Sequence, residues 1–173
     1  RFSALRVGTH AMDLDLGPLI NRQQHERVAG FVARAADLPL LAEGRLAADL
    51  PAGGCYTTPR LYGPVPPDHA LAQEEVFGPV LAAIPFADEA DAVRIANGTA
   101  YGLVAGVWTR DGGRQLRVAR KLRAGQVYVN GYGAGGGIEL PFGGVKRSGH
   151  GREKGFEALY AFSQLKTIAI RHG

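Results

Sequence analysis

One cysteine, one tryptophan and one methionine occur in 173 residues. The lone thiol, Cys55, can close no internal disulfide and build no multi-cysteine zinc site, which excludes a bridge-stapled secreted scaffold and points to a reducing, cytoplasmic setting. Apolar runs such as Val80 to Phe86 fall far short of the roughly 18–20 residues that span a bilayer, so no membrane association is expected. The five histidines, His10, His25, His69, His150 and His172, show no H-x-x-x-H spacing, so no metal site is expected. A net charge of +4 from 20 basic and 16 acidic residues contains no long basic run. That is the balance of a solvated surface, and no nucleic-acid partner is expected. The chain opens on Arg1 with no charged-then-apolar leader, so no targeting signal is legible. Glycine is what the chain has in excess: 25 residues, about twice the usual share. With 46% hydrophobic and 21% charged residues, the composition is otherwise that of one soluble domain, with or without an appendage.

Along the chain, Phe2 and Leu5 suggest the last turn of a helix closed at Gly8, an opening without a cap that looks cut. Asn21 and Gln24 have the spacing of a capping box, and Val28, Phe31, Val32 and Ala35 share one helical face, predicting a helix over roughly 22 to 37. Residues 39 to 74 are rich in turn formers, with minor strands near Leu40 and Thr57 to Leu61. The pattern then sharpens. Val80 to Phe86 predicts a strand, Asp88 a helix N-cap, and Asn97-Gly98 that helix's end; Leu103 to Thr109, Asp111 and the face Leu116, Ala119, Leu122 and Arg123 repeat the unit. Val127 to Val129 opens a third strand. Strands alternating with helices of this length imply an α/β fold, a largely parallel sheet with flanking helices. Eleven glycines fall between Gly125 and Gly155, followed by a short helix near Arg152 to Phe162 and a final strand at Leu165 to Ile170. Loops after strand C-termini are where such sheets bind ligands.

Two segments could carry chemistry. If Glu74-Glu75-Val76-Phe77-Gly78-Pro79 is extended, Glu75 and Phe77 project from one face. A carboxylate accepts two hydrogen bonds from a vicinal diol and an aromatic ring packs on a flat heterocycle, a pair suited to a nucleotide. The alternative makes Phe77 a core residue beside two exposed glutamates. The second segment, Leu140 to Glu153, has glycines that let backbone approach closely, and Ser148, Arg152 and Glu153 could anchor it. It contains no phosphate-binding G-x-x-x-x-G-K-[ST] motif, and Phe142 could line a cavity. Cys55, after Gly53-Gly54 and with no histidine near it in sequence, suits a free, partly buried thiol better than a nucleophile. Ser148 lacks the G-x-S-x-G elbow of a serine hydrolase.

Taken in order, Glu74-Glu75-Val76-Phe77-Gly78-Pro79-Val80, Ala96 to Leu103, Gly106-Val107-Trp108-Thr109-Arg110-Asp111, Gly125-Gln126-Val127-Tyr128-Val129-Asn130 and Pro141-Phe142-Gly143-Gly144 with Lys146, Ser148-Gly149 and Gly151-Arg152-Glu153 resemble the C-terminal signatures of the NAD(P)-dependent aldehyde dehydrogenase superfamily. Asp15 to Ile20 resembles a further family segment. The resemblance implies oxidation of a small aldehyde to a carboxylic acid with NAD or NADP, through attack by a cysteine thiolate and hydrolysis of a thioester. Glu75 matches the glutamate on the nicotinamide ribose and Phe77 the aromatic beside that end of the cofactor. Phe142 matches an aromatic at the substrate entrance. Gly131 and Tyr132 open the segment, Gly131 to Leu140, that matches the loop lining the aldehyde channel, and its glycines would leave that channel roomy.

The departures are equally informative. Family members run to several hundred residues, and their nucleophilic cysteine and general-base glutamate correspond to positions upstream of this chain; Cys55 matches the segment just before the glutamate–phenylalanine motif. The expectation is therefore a C-terminal portion of the enzyme, inactive alone, with residues 1–163 a partial catalytic domain and 164–173 a strand that pairs with a neighbouring subunit in a homodimer or homotetramer. A stand-alone, non-catalytic binding or assembly module of the same fold is the competing expectation.

Overall fold

The computed structural model describes residues 1–133 and 137–173, which divide into two compact units, Arg1–Phe86 and Ala87–Gly173.

In the first unit, a 3-10 turn at Phe2–Ala4 gives way to β1, Arg6–Val7. The helical turn expected to close at Gly8 therefore ends earlier. Val7 is 1% exposed, and extending the chain there lets its carbonyl accept from Ala47 N–H while Arg6 pairs with Leu16. Helix α1, Arg22–Arg34, starts where the capping pattern placed it: the Asn21 side chain accepts from Gln24 N–H. It stops three residues short of the expected end because Ala35 N–H bonds back to both Phe31 and Val32 and Leu38 N–H to Ala35, a tightening toward Pro39. β2, Leu40–Glu43, β3, Arg45–Leu46, and β4, Arg60–Tyr62, occupy the turn-rich stretch. A short helix, α2, Ala70–Gln73, precedes β5, Val80–Ala82. β5 is half the expected length: Ala83 N–H still reaches Tyr62 O, but Pro85 has no N–H to continue a ladder. β1 pairs parallel with β3; β4 pairs antiparallel with β2 and parallel with β5. The apolar face of α1 closes over these strands, burying Val28, Phe31 and Ala35 with Tyr62, Val65, Leu71 and Val76. About 25 cal/mol per Å² of apolar area removed from water makes this cluster the main stabilising term of the unit.

The second unit carries the repeated strand–helix pattern. Helix α3, Glu89–Asn97, is capped by Asp88 and helix α4, Gly112–Ala119, by Asp111, each accepting from the N–H three residues on. β6, Val104–Val107, and β7, Gln126–Val129, pair in parallel. A last helix, α5, Glu157–Ala161, is shorter than expected. The fold is α/β with helices flanking the strands, and among the described residues three of the four strand pairings are parallel. The expected strand at Leu165 to Ile170 forms no ladder among the described residues, and that stretch is exposed throughout. A strand is defined by its partner, and among the described residues none pairs with this stretch.

One surface cluster of this unit sets a pH-dependent contribution. Arg117 grips Glu89 with two parallel N–H donors, both at 2.7 Å, and Arg114 adds a contact at 3.4 Å. The Arg117 hydrogen bonds, aided by the charges of Arg117, Lys121 and Arg114, lower the Glu89 pKa from 4.5 to about 2 against a partial desolvation that raises it. A depressed carboxyl pKa stabilises the fold above the unfolded value and loses that contribution as pH falls through the folded one. Glu89→Gln is therefore expected to lower Tm by about 2 °C near neutral pH, as for exposed ion pairs generally. The gap from the parent should close between pH 4.5 and about 2. A gap constant across that window, followed by calorimetry, would contradict it.

Candidate functional site

In the first unit the Glu75–Phe77 stretch is not a strand. Glu75 and Phe77 are exposed and Val76 between them is buried, so burial alternates as the sequence pattern suggested. The backbone achieves this differently from an extended chain, with Phe77 in the left-handed region at φ 58°. A non-glycine residue there is uncommon and persists only when its surroundings hold it. Three devices on α1 hold it. Gln24 Nε2 donates to the carbonyls of Val76 and Phe77 at 3.0 and 2.9 Å, and Arg27 Nη2 donates to that of Glu75 at 2.6 Å. Gly78 completes the fit, since a Cβ on it would stand 2.5 Å from Val28 Cγ2. The ring of Phe77 is 71% exposed, so the core reading of Phe77 does not apply. An exposed carboxylate and an exposed aromatic ring on one held turn can accept hydroxyl hydrogen bonds and stack a heterocycle.

Neither Gln24 nor Arg27 was legible as part of this site. The Asn21–Gln24 spacing predicted a reciprocal capping box, and only half of it forms: Asn21 caps Gln24 N–H, while the Gln24 side chain turns to the carbonyls of residues 76 and 77. That side chain is polar on a helix next to an apolar face, which is the only local signal for the role.

Cys55 is free and half-buried. His25 comes close to that segment, its Nε2 lying 3.1 Å from Tyr56 O. Among the described residues no group of histidine, cysteine or carboxylate side chains could hold a metal. No described helix is long and apolar enough to cross a membrane.

In the second unit the glycine-rich segment is stitched to the two strand–helix units. Lys146 Nζ donates to Asn97 O and Thr99 O at 2.8 and 3.0 Å, Gly102 N–H donates to Ser148 Oγ at 3.0 Å, and Arg152 Nη1 donates to Gly144 O at 2.8 Å. Asn97 in turn accepts from Arg123 N–H and donates to Lys121 O. Ser148 and Arg152 thus anchor the loop, and Glu153 pairs through its backbone with Phe142 at 2.6 and 2.7 Å. Phe142 is partly buried with the Lys154 ammonium 5.8 Å from its ring centroid. Beyond β7, Asn130 exchanges both amide hydrogen bonds with Thr109, extending the β6–β7 pairing by one side chain. Gly131 is partly buried and Tyr132 88% exposed. Gly135 and Gly136, part of the expected channel loop, lie outside the described residues.

Known proteins match the chain over nearly its whole length. The sequence profile of the aldehyde dehydrogenase family matches residues 1–168. Rat 4-trimethylaminobutyraldehyde dehydrogenase is 43% identical over 166 residues, which are 93% of this chain and 33% of that protein. A crystal structure from Burkholderia cenocepacia assigned as an aldehyde dehydrogenase superposes with a TM-score of 0.92 at 65% identity, covering 99% of this chain and 37% of the other. A Mycobacterium tuberculosis aldehyde dehydrogenase complexed with NAD+ gives 0.86 at 36% identity, covering 99% and 36%. The chain spans about a third of the length of the curated relatives it matches. A match over nearly every residue, at these identities and with the same backbone, leaves one conclusion: the chain belongs to the aldehyde dehydrogenase family.

Proposed function

We propose that this chain is the C-terminal portion of an NAD(P)-dependent enzyme that oxidises a small aldehyde to a carboxylic acid. The observation that carries the reading is the exposed pair Glu75 and Phe77 on a left-handed turn held by α1. The residue pair fits a nicotinamide nucleotide: the Glu75 carboxylate would accept from ribose hydroxyls and the Phe77 ring would pack beside the nicotinamide. When bound, that cofactor supplies the hydride acceptor. The chain's own residues orient it there. Phe142, Gly131 and Tyr132 would line the aldehyde channel, with the anchored Lys146–Arg152 segment fixing the position of Phe142. Cys55 takes no part, since it falls in the segment just before the Glu75–Phe77 motif; the nucleophile and the general base belong to positions preceding Arg1 in the family pattern. Residues 1–163 act as part of a catalytic domain. Residues 164–173, with Leu165, Ile168 and Ile170 each more than 70% exposed, form the strand that pairs with another subunit in a homodimer or homotetramer, the usual fate of an unpaired apolar edge. The single thiol suits the cytoplasm.

The test has two arms. The isolated chain, assayed with NAD+ and NADP+ against a broad aldehyde panel, should reduce neither cofactor; thiol-dependent reduction that disappears in Cys55→Ser would overturn the assignment of the nucleophile. In the full-length enzyme, Glu75→Gln should lower kcat/KM for the cofactor about tenfold, because a charge-assisted acceptor is replaced by a weaker one. Parental kinetics in that variant would overturn the ribose-binding role.

A further inference from the structure

We propose that Gln24 and Arg27 are positioning residues for the cofactor turn, acting through the backbone of Glu75–Phe77. The inference rests on the reading of Glu75 and Phe77 as the cofactor's contacts and extends it to two side chains on a different element. Three consecutive carbonyls, those of Glu75, Val76 and Phe77, accept from just two side chains spaced one helical turn apart on α1. Residues at i and i+3 lie on one face of a helix, so Gln24 and Arg27 form a rail along which the turn is laid. Val28, on the same stretch, presses on Gly78 and is fully buried, and Val76 is buried in the same cluster.

The left-handed Phe77 makes the rail consequential. Its conformation is disfavoured for an aromatic residue. The carbonyls flanking it would relax to an ordinary extended path if nothing held them. Both N–H bonds of the Gln24 amide are committed to this turn, at 3.0 and 2.9 Å. Arg27 is itself fixed, its guanidinium lying 5.0 Å from the centroid of the buried Phe31 ring. The turn is therefore tied to the rigid core of its unit, which is what a group must have if it is to hold a nicotinamide in hydride-transfer geometry. A displacement of about 1 Å at such a site costs on the order of a hundredfold in rate.

The test uses the full-length enzyme with NAD+ and an aldehyde bearing deuterium at C1. Gln24→Leu keeps the size and removes both donors. We expect kcat to fall about tenfold, with the KM for NAD+ changing less than kcat and the primary deuterium isotope effect rising, because hydride transfer becomes slower relative to the other steps. Arg27→Met, at an exposed position where folding is not at stake, should give the same pattern at about threefold, and Arg27→Lys, which keeps an N–H donor, should recover most of it. A merely structural role would lower Tm without raising the isotope effect. Parental kcat and isotope effect in both Gln24→Leu and Arg27→Met overturn the proposal, and if Gln24→Leu does not fold, Arg27→Met decides alone. Glu75→Gln is measured alongside. An impaired Glu75→Gln with parental rail variants overturns the positioning role alone; a parental Glu75→Gln overturns the cofactor reading and the positioning role with it.

Discussion

Replacing Gly125 by alanine is expected to destabilise the second unit by about 3 kcal/mol or more, a magnitude reserved for severe packing conflicts. Gly125 immediately precedes β7 at the point where three segments converge on one peptide: Gly125 N–H and Val145 N–H both donate to Gly102 O, at 2.9 and 3.0 Å, and Gly102 N–H donates to Ser148 Oγ. A Cβ on Gly125 would overlap the carbonyl of Gly143 and stand 3.1 Å from Gly144 Cα. Backbone, unlike the end of a long side chain, has nowhere to swing. To admit the methyl group, the 141–145 segment must lift, and with it go the Val145–Gly102 bond, the Gln126 Nε2 contact to Pro141 O at 3.1 Å and the support under Phe142. The conflict is steric, so no compensating contact is gained. Gly112→Ala is the internal control: it sits at the first position of α4 with no atom within 4 Å of the added Cβ, and should be neutral or slightly stabilising. Urea denaturation followed by far-UV circular dichroism, with amide exchange in β6 and β7, reads both. A Gly125→Ala variant within about 1 kcal/mol of its parent would mean the segment is far more compliant than its hydrogen bonds imply.

That glycine also shows where sequence reasoning ends. Helices α1, α3 and α4 were legible because their starts are written in local chemistry: Asn21, Asp88 and Asp111 each cap the helix they precede. The parallel pairing of β6 and β7 followed from the strand–helix–strand rhythm. Strand lengths were less legible, as at β5, because an apolar run signals burial and only the ladder, interrupted at Pro85, decides where pairing stops. The opening residues looked helical from Phe2 and Leu5, yet Val7 is drawn into β1 by partners dozens of residues away. Excess glycine in the 125–155 stretch was visible in the composition, but that Gly125 lies against Gly143 is a tertiary fact. At the candidate site the residue types Glu75 and Phe77 were readable. The left-handed turn that presents them, and the side chains of Gln24 and Arg27 that hold it, were not, since a contact across about fifty residues leaves no local trace.

Removing the buried aromatic ring near the end of α1 should have the largest effect in the first unit: Phe31→Ala is expected to lose about 3–5 kcal/mol, the range for truncating a buried phenylalanine. Phe31 is 2% exposed and lies in the cluster that joins α1 to Tyr62, Val65, Leu71 and Val76. Its ring is flanked by the guanidinium groups of Arg27 and Arg34, 5.0 and 4.3 Å from the centroid, so the substitution removes cation–π attraction as well as apolar contact. Phe31→Leu keeps much of the volume and loses the ring face, and should cost less than half as much. The pair separates cavity formation from loss of the arginine contacts. Because Arg27 is one of the two side chains holding the Glu75–Phe77 carbonyls, exchange of amides in the 74–78 turn should speed up in both variants, even where Phe31→Leu barely changes the global unfolding free energy. Hydrogen exchange against the urea midpoint discriminates the two effects: a turn whose protection follows global stability alone would show that Phe31 supports the fold of the unit without bracing the Glu75–Phe77 turn.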